Sequence, residues 1–257
     1  SLMLRSYRQK KFLESSDIKL SFLANFKICL IGMAMLVTPG GAGMLIKSHF
    51  LKKKFGLSIS KTAPTVFAER YHDFLALTTI LIFSLIFTFT IEAAISGVIA
   101  FVLLIIVYII FTNNKWLKKI EKKIRKIKFF KNSFPDNLEI TNSVNSLKTR
   151  NSMISGWLIS TIIWSIDAIA VYFGFVAFNL EIGIFEAVQI FFTALMYGTI
   201  SFLPAGIGVT EGVFIGLLLS NNLELSIATS LILFIRLTTI WFYTFLGFIA
   251  LKLTIKR

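Results

Sequence analysis

Six ionisable residues stand inside or beside long apolar runs of this sequence, where charged side chains are rare. They are Glu69, Arg70, Asp73, Asp167, Glu211 and Arg236. A charge at the centre of a bilayer costs roughly 3 kcal/mol on insertion scales, so such groups mark functional sites by default. Arginine grips phosphate or carboxylate through paired N–H donors, and an intramembrane carboxylate can pair an arginine or carry a proton. We therefore treat all six as candidate binding residues.

Each of these groups has a functional and a structural interpretation. Arg70 and Arg236 either hold a lipid phosphate, with free N–H groups of broken helix ends as further donors, or neutralise carboxylates across the interface between the repeats. Glu211 favours a structural role, in which it pairs Arg236 or caps the short helix that follows. Asp167 is either a proton-coupling carboxylate or the partner of an arginine.

Two Pro-Gly segments interrupt the apolar runs. "TPGGAG" and "LPAGIG" share the pattern P-x-G-x-G, and the next intramembrane arginine follows Pro39 by 31 residues and Pro204 by 32. Glycine lets the backbone turn sharply and approach a ligand closely. The glycines that we add to the candidate binding residues are Gly40, Gly41, Gly43, Gly206 and Gly208.

The composition indicates that most of the chain is surrounded by lipid rather than by water. Hydrophobic residues make up 56% of the 257 residues and charged residues 16%, and apolar windows of membrane-spanning length recur. The formal net charge of +14 lies mostly in segments that flank the apolar runs, where it suits anionic lipid headgroups rather than nucleic acid. The sequence predicts an all-α integral membrane protein of the plasma membrane.

The apolar pattern predicts a single membrane domain, 1–257, built from two repeats. Repeat one covers about 21–112 and repeat two about 152–251, and the clearest spans are 93–112, 153–178 and 225–251. The intervening segment 113–150 is strongly basic. Its first part, 113–130, predicts an amphipathic surface helix, and 131–150 predicts a polar loop. The basic start, residues 1–20, is interpreted as a loop that follows earlier parts of a longer protein.

Charge parity favours re-entrant hairpins. Eleven Lys or Arg residues lie in 113–150, five in 1–20 and five in 47–61, so these segments are predicted to be cytoplasmic. The twelve residues 209–220 would extend only about 18 Å, too short for a hydrocarbon core of about 30 Å. If each Pro-Gly segment turns the chain back inside the membrane, all basic connections stay on one side. Two hairpins that enter from opposite sides form inverted repeats, an architecture of transporters.

Metal and cofactor chemistry has little support in the sequence. The lone Cys29 excludes a cysteine cluster, and His49 and His72 are too few for a histidine site. We expect no cofactor.

The paired motifs also resemble a known family. "TPGGAGMLIKSHFLKKKFGLSISKTAPTVFAERYHDFLAL" and "SFLPAGIGVTEGVFIGLLLSNNLELSIATSLILFIRLTTIWF" are similar to the signature regions of the flippase-like family typified by the membrane region of lysylphosphatidylglycerol synthetase. The resemblance implies a lipid-handling membrane protein with the Pro-Gly tips at its site, together with Glu69, Arg70, Asp73, Glu211 and Arg236. It also implies further membrane helices before the first hairpin and, because some relatives occur beside or fused to glycosyltransferases, a glycosyltransferase partner. Relatives often carry an acidic residue where this chain has Met44, Leu45 and Ile46.

Three functions remain open at this point. We expect a transporter that moves an anionic lipid or a polyprenyl phosphate-linked headgroup between leaflets, and not an enzyme. A membrane-embedded lipid-modifying enzyme would need a positioned acid, base or nucleophile. An accessory subunit of a glycosyltransferase would not need charges at the midplane.

Overall fold

The computed structural model describes residues 1–39, 41–113 and 137–255, and every regular element in those ranges is helical. The α-helices are α1 (Leu2–Glu14), α2 (Phe22–Met33), α3 (Ile46–Phe55), α4 (Ile59–Ser84), α5 (Ile91–Thr112), α6 (Asn137–Leu147), α7 (Arg150–Ala177), α8 (Ile184–Ile200), α9 (Val209–Ser220), α10 (Leu225–Arg236) and α11 (Phe242–Ile255). A 3₁₀ turn, Ala42–Leu45, precedes α3, and a π-helical turn, Leu237–Trp241, joins α10 to α11.

Three described segments are long and apolar enough to cross a membrane: Ile91–Ile109, Arg150–Ala177 and Leu225–Ile255. Large apolar side chains such as Phe101, Phe173 and Phe245 are exposed along them. A soluble protein would bury such surfaces, whereas a bilayer solvates them. The prediction of an all-α integral membrane protein is confirmed.

The prediction of a loop at the start of the chain is wrong. Residues Leu2–Glu14 form α1, which packs against α2, α4 and α7. The face that α1 buries carries Arg5 and Arg8 beside Phe12 and Leu13. Since this face mixes cations with apolar residues, it lacks the apolar stripe by which an amphipathic helix is recognised.

The prediction of a polar loop over 131–150 is wrong over 137–147. These residues form α6, which packs against α4 through the buried side chains of Val144 and Leu147. The two residues are three apart and so share one helix face, a stripe too short to stand out among polar neighbours. The predicted amphipathic helix at 113–130 lies outside the described residues, apart from Asn113.

The two Pro-Gly segments lie together. We call Pro39–Gly43 the first tip, between α2 and α3, and Pro204–Gly208 the second tip, between α8 and α9. Pro39 and Pro204 form an isolated antiparallel bridge. The helices that follow the tips have 10 and 12 residues, so neither is long enough to cross a hydrocarbon core.

Apolar packing holds the tips in place from two sides. The largest buried cluster joins α4, α5 and α7 to α8, α9 and α10, with Phe175, Phe192 and Phe214 at its centre. A smaller cluster joins α1, α2 and α3, with Leu251 of α11 packed on it. Gly247 lets the backbone of α11 approach that of Ala34 at the end of α2, where any side chain would clash with main-chain atoms. The helices leading to the two tips, α2 and α8, are therefore each packed in an apolar cluster.

Candidate functional site

A compact ion pair closes the second tip. The Gly208 N–H donates to Glu211 Oε2 at 2.7 Å, and Arg236 Nε donates to Glu211 Oε1 at 2.5 Å. Arg236 Nη2 also donates to the Ala205 carbonyl oxygen at 3.0 Å. Glu211 therefore caps α9 and pairs Arg236 at once, as its predicted structural role requires. Arg236 in turn is tied to the backbone of the tip.

Arg236 occupies an unusual place in its helix. It is the last residue of α10, and the π-helical turn begins at the next residue. Its side chain is 4% exposed, and Nη1 has no hydrogen-bond partner in the described part of the chain. π-helical turns concentrate at functional sites because they shift the side chains of one turn relative to the rest of the helix.

A second ion pair lies behind the first tip, and sequence reasoning missed half of it. Lys47 Nζ lies 2.5 Å from Glu69 Oε2 and donates to Gln9 Oε1 at 3.3 Å. Lys47 is fully buried, although the sequence placed it only among the basic residues of a connecting segment. Gly32 of α2 makes room for it, because a Cβ there would come within 2.6 Å of Lys47 Cδ. Lys47 therefore neutralises the predicted site residue Glu69.

Asp73 is the centre of a larger ionic group. Arg8 Nη1 donates to its Oδ1 at 2.6 Å, and the Arg70 Nη2 lies 2.8 Å from its Oδ2. Arg5 Nη1 is 3.8 Å from Oδ1, and Trp164 Nε1 donates to the same oxygen at 3.1 Å. Three arginines from α1 and α4 thus converge on one carboxylate, which is 6% exposed.

Asp167 joins this group through α1. Arg5 Nη2 donates to Asp167 Oδ2 at 2.7 Å, and the Arg5 guanidinium lies 5.1 Å from the centroid of the Trp164 ring. Of the two interpretations left open for Asp167, the structure therefore shows the arginine pair. We name the five residues Arg5, Arg8, Arg70, Asp73 and Asp167 the arginine cluster.

Arg70 and Arg236 flank the paired tips and share no carboxylate. A Cβ at Gly41 would lie 3.9 Å from Arg70 Cδ, so Arg70 borders the first tip as Arg236 borders the second. Both carry acidic partners, but not across the two halves as the structural interpretation predicts: Asp73 lies one turn along the same helix as Arg70, and Glu211 lies in the same half as Arg236. Arg70 is the more accessible of the two, with 31% of its side chain exposed against 4% for Arg236.

At the four tip glycines that the structure describes, the backbone N–H groups are not free, contrary to the prediction of free donors at the broken helix ends. The described glycines at the tips all donate within their own segments, to Thr38 O (Gly41), Thr38 Oγ1 (Gly43), Leu203 O (Gly206) and Glu211 Oε2 (Gly208). A turn without water must satisfy its own backbone, which accounts for this difference. Gly40 lies outside the described residues.

Arg5 and Arg8 of the cluster were absent from the predicted site. Both stand in a segment that reads as a basic flank, and their partners Asp73 and Asp167 lie far along the chain. One signal was available: Arg5, Arg8 and Phe12 recur at helical spacing, and the last of these is a core residue.

A further cleft lies away from the tips and the arginine cluster. It is mainly apolar and is lined by Pro64, Phe67, Ala68, Tyr71, His72, Tyr108, Val144, Leu147, Lys148 and Met153. Partial burial lowers the pKa of the Lys148 amine at its edge. His72 Nδ1 is bonded to the Ala68 carbonyl oxygen at 2.7 Å, and its ring packs against Phe12. None of the predicted site residues lines this cleft.

Fold and site together define a multi-span helical membrane protein with ion pairs buried beside paired Pro-Gly turns. The chain belongs to the lysylphosphatidylglycerol synthase transmembrane region family, whose model matches residues 1–247. It is 26% identical to the UPF0104 membrane protein PH1989 of Pyrococcus horikoshii, over 96% of this chain and 82% of that protein. It is 29% identical to the UPF0104 membrane protein MJ1078 of Methanocaldococcus jannaschii, over 78% of this chain and 85% of that protein. No solved structure matches the chain.

Proposed function

We propose that this protein moves an anionic lipid, or a headgroup linked to polyprenyl phosphate, between the leaflets of the plasma membrane. Its family takes its name from an enzyme, lysylphosphatidylglycerol synthase, whose own name includes a phospholipid, and the matched part is the transmembrane region. The proposal treats the chain as a transporter rather than an enzyme, with membrane lipids as its partners and a glycosyltransferase as the expected neighbour in the membrane.

The observation that carries the proposal is the pairing of the two tips with an arginine beside each. Pro39 contacts Pro204, Arg70 borders the first tip, and Arg236 binds the backbone of the second. Irregular backbone is tolerated at membrane depth only where protein or a wet cavity covers it. Two such turns, meeting next to two cations, suit a polar headgroup that passes while its tails stay in lipid.

The correspondence between the halves supports inverted repeats. Each half has a helix leading to a tip, a short helix after it and then a long helical segment that carries the next arginine, α4 in the first half and Leu225–Ile255 in the second. An ion pair joins the short helix to the long helix in both, through Lys47 and Glu69 in one and Glu211 and Arg236 in the other. We propose that each tip belongs to a re-entrant hairpin and that the basic connections face the cytoplasm.

The decisive assay reconstitutes the full chain in liposomes and follows the accessibility of labelled headgroups across the two leaflets. The labelled lipids are phosphatidylglycerol and a polyprenyl phosphate, and liposomes without protein give the background. The wild-type protein should equilibrate at least one of them. Arg70→Lys and Arg236→Lys should slow the exchange, because lysine keeps the charge but lacks the planar fork that matches phosphate.

Arg236→Ala should have a larger effect than Arg236→Lys, with a loss of about 2 to 5 kcal/mol, because Glu211 loses its partner. Part of this loss should appear as instability of the protein rather than as slower lipid exchange. Lys53→Arg, on an exposed position of α3, is the matched control and should behave like the wild type. If the folded wild-type protein moved no lipid, or if both lysine variants moved lipid at the wild-type rate, the transport proposal would fail.

A further inference from the structure

We propose that the arginine cluster binds one singly charged phosphoryl group, a phosphodiester, in preference to a doubly charged phosphomonoester. The inference rests on the proposed function for the source of the ligand, a lipid headgroup. The location and the charge class come from the cluster itself.

The arginine cluster holds more positive than negative charges. Three guanidinium groups, those of Arg5, Arg8 and Arg70, face the two carboxylates of Asp73 and Asp167. The neighbouring pair Lys47 and Glu69 is neutral by itself. Within the described part of the chain the cluster therefore carries one uncompensated positive charge.

Most of the charged side chains of the cluster are buried. The side chain of Arg8 is 1% exposed, that of Arg5 8% and that of Asp73 6%. An unpaired charge is costly in such a place, because water cannot solvate it and the local dielectric is low. A monoanion would bring the cluster to neutrality. A dianion would overshoot and leave one buried negative charge instead.

Buried N–H donors of the cluster lack acceptors within the described residues. The Nε atoms of Arg5, Arg8 and Arg70 are buried and have no hydrogen-bond partner in the described chain. Guanidinium groups donate from a rigid planar fork that matches the non-bridging oxygens of a phosphoryl group. An anion with two free oxygens would accept hydrogen bonds from these donors and would offset the excess positive charge.

Arg70 is the most exposed member of the cluster. Arg8 is the most buried, and its Nη1 also donates to Ser160 Oγ at 2.5 Å. Arg70 has 31% of its side chain exposed, and Gly41 of the first tip lies next to it. A headgroup that reaches the tips would therefore meet Arg70 first.

Trp164 keeps the cluster in place for such a ligand. Its indole N–H holds Asp73 Oδ1, and its ring supports the guanidinium of Arg5. The pair at the second tip differs, because Arg236 and Glu211 are one cation and one anion and leave no excess charge. The preference for a monoanion therefore belongs to the arginine cluster.

The test compares two short-chain lipids that differ in headgroup charge. The purified full chain in detergent is titrated by calorimetry at pH 8 with dihexanoyl phosphatidylglycerol, a diester, and dihexanoyl phosphatidic acid, a monoester. The second pKa of phosphomonoesters lies near about 6, so the monoester is doubly charged at this pH. We expect the diester to bind about tenfold more tightly, since the dianion leaves a buried charge unpaired.

A charge variant should reverse the order. Asp167→Asn raises the excess to two positive charges while the amide oxygen can still accept from Arg5, so the monoester should become the tighter ligand. Glu14→Gln makes the same charge change on an exposed residue of α1 and should leave the ratio of the two affinities unchanged. Gel filtration checks that the variants are folded.

A second variant keeps the test decisive if Asp167→Asn does not fold. Arg70→Gln removes the accessible guanidinium and the excess charge, so the affinity for the diester should fall about tenfold or more. Dimethyl phosphate is the arm that separates the sources of the ligand. If it binds as tightly as the lipid, the phosphoryl group alone is recognised; if only the lipid binds, the headgroup and its tails are recognised together, and either result supports the site.

Equal affinities for the two lipids, or an unchanged ratio in folded Asp167→Asn, would overturn the inference and leave the transport proposal standing. If neither lipid bound the wild-type protein, the transport proposal would lose its substrate as well.

Discussion

An ion pair follows each of the two tips, and the acid and the base exchange places between the two pairs. After the first tip, the short helix carries the base Lys47 and the long helix the acid Glu69. After the second, the short helix carries the acid Glu211 and the long helix the base Arg236. Either arrangement joins the short helix to the long one, because an ion pair holds two helices regardless of which contributes the cation.

Glycines allow close packing at both tips. In the first half, Gly32 of α2 faces the aliphatic part of Lys47, where a Cβ would be too close. In the second half, Gly198 of α8 faces Thr210 of α9, and a Cβ there would overlap the Thr210 hydroxyl. Each glycine lies near the end of the helix that leads to its tip. The shared feature is thus a short distance between the helix before the tip and the short helix after it.

The halves differ in burial. Glu69 is 3% exposed and connects through Lys47 to Gln9 of α1, whereas Glu211 is 22% exposed and binds, within the described residues, its own tip and Arg236. The ion pair of the first half therefore reaches α1. The ion pair of the second half is local, although α8, α9 and α10 are packed in the largest apolar cluster. The ionic contacts of the second tip are thus the more exposed of the two.

The largest expected effect tests the buried pair. Lys47→Met leaves Glu69 buried without a counter-charge and should lower the free energy of unfolding by about 3 to 5 kcal/mol. The measurement is thermal unfolding of the purified protein in detergent. Lys52→Met, the same change at an exposed position of α3, should stay within about 0.5 kcal/mol of the wild type. Equal stability of the two variants would contradict the comparison.

A smaller loss is expected at the second tip. Glu211→Ala removes the cap of α9 and the partner of Arg236, and we expect a loss of about 2 kcal/mol in the same assay. The loss should be smaller than for Lys47→Met, because Arg236, the charge left behind, keeps its bond to the Ala205 carbonyl oxygen, whereas Glu69 has no hydrogen bond in the described chain besides the one from Lys47. Glu211→Gln retains an acceptor for the Gly208 N–H and should recover part of the loss. A loss larger than that of Lys47→Met would reverse the order of the two halves.

The smallest effect tests backbone strain. Ala205 has φ 52° and Phe202 φ 54°, whereas the described left-handed residue of the first tip is Gly41, with φ 66°. A side chain makes the left-handed region unfavourable by roughly 1 to 2 kcal/mol, and glycine adds entropy to the unfolded chain. Ala205→Gly should therefore raise the free energy of unfolding by about 0.5 to 1 kcal/mol.

The control for that change is Ala170→Gly, at an exposed position of α7. This variant should destabilise the protein by about 0.5 to 1 kcal/mol, because the backbone there is helical and glycine disfavours a helix. If both glycine variants destabilised the protein equally, the second tip would not be strained in solution.

Several helices could be predicted closely from the sequence. The predicted short helix 209–220 has the same bounds as α9, and the predicted spans 93–112 and 153–178 differ from α5 and α7 by a few residues at one end or both. These segments are apolar on most sides and end at Gly, Pro or charged residues, so composition alone places them. α1 and α6 could not be placed in this way, because their buried faces are short or polar.

The site was predicted in part. The charged residues of α4 and α10 stood out because lipid-facing charges are costly, and the pairing of Glu211 with Arg236 was among the expected outcomes. Lys47, Arg5 and Arg8 did not stand out, since lysine and arginine near the ends of apolar runs are ordinary in membrane proteins.

The sequence by itself determined that this chain enters a membrane as helices, and it marked Pro39 and Pro204 as breaks and the intramembrane charges as conspicuous. Only the tertiary structure decided which cation neutralises which carboxylate. Asp73 and Asp167 are separated from Arg8 and Arg5 by 65 and 162 residues, so no local spacing could relate them. An ion pair in a medium of low dielectric depends on contact distance, and that distance is set by how α1 packs between α4 and α7.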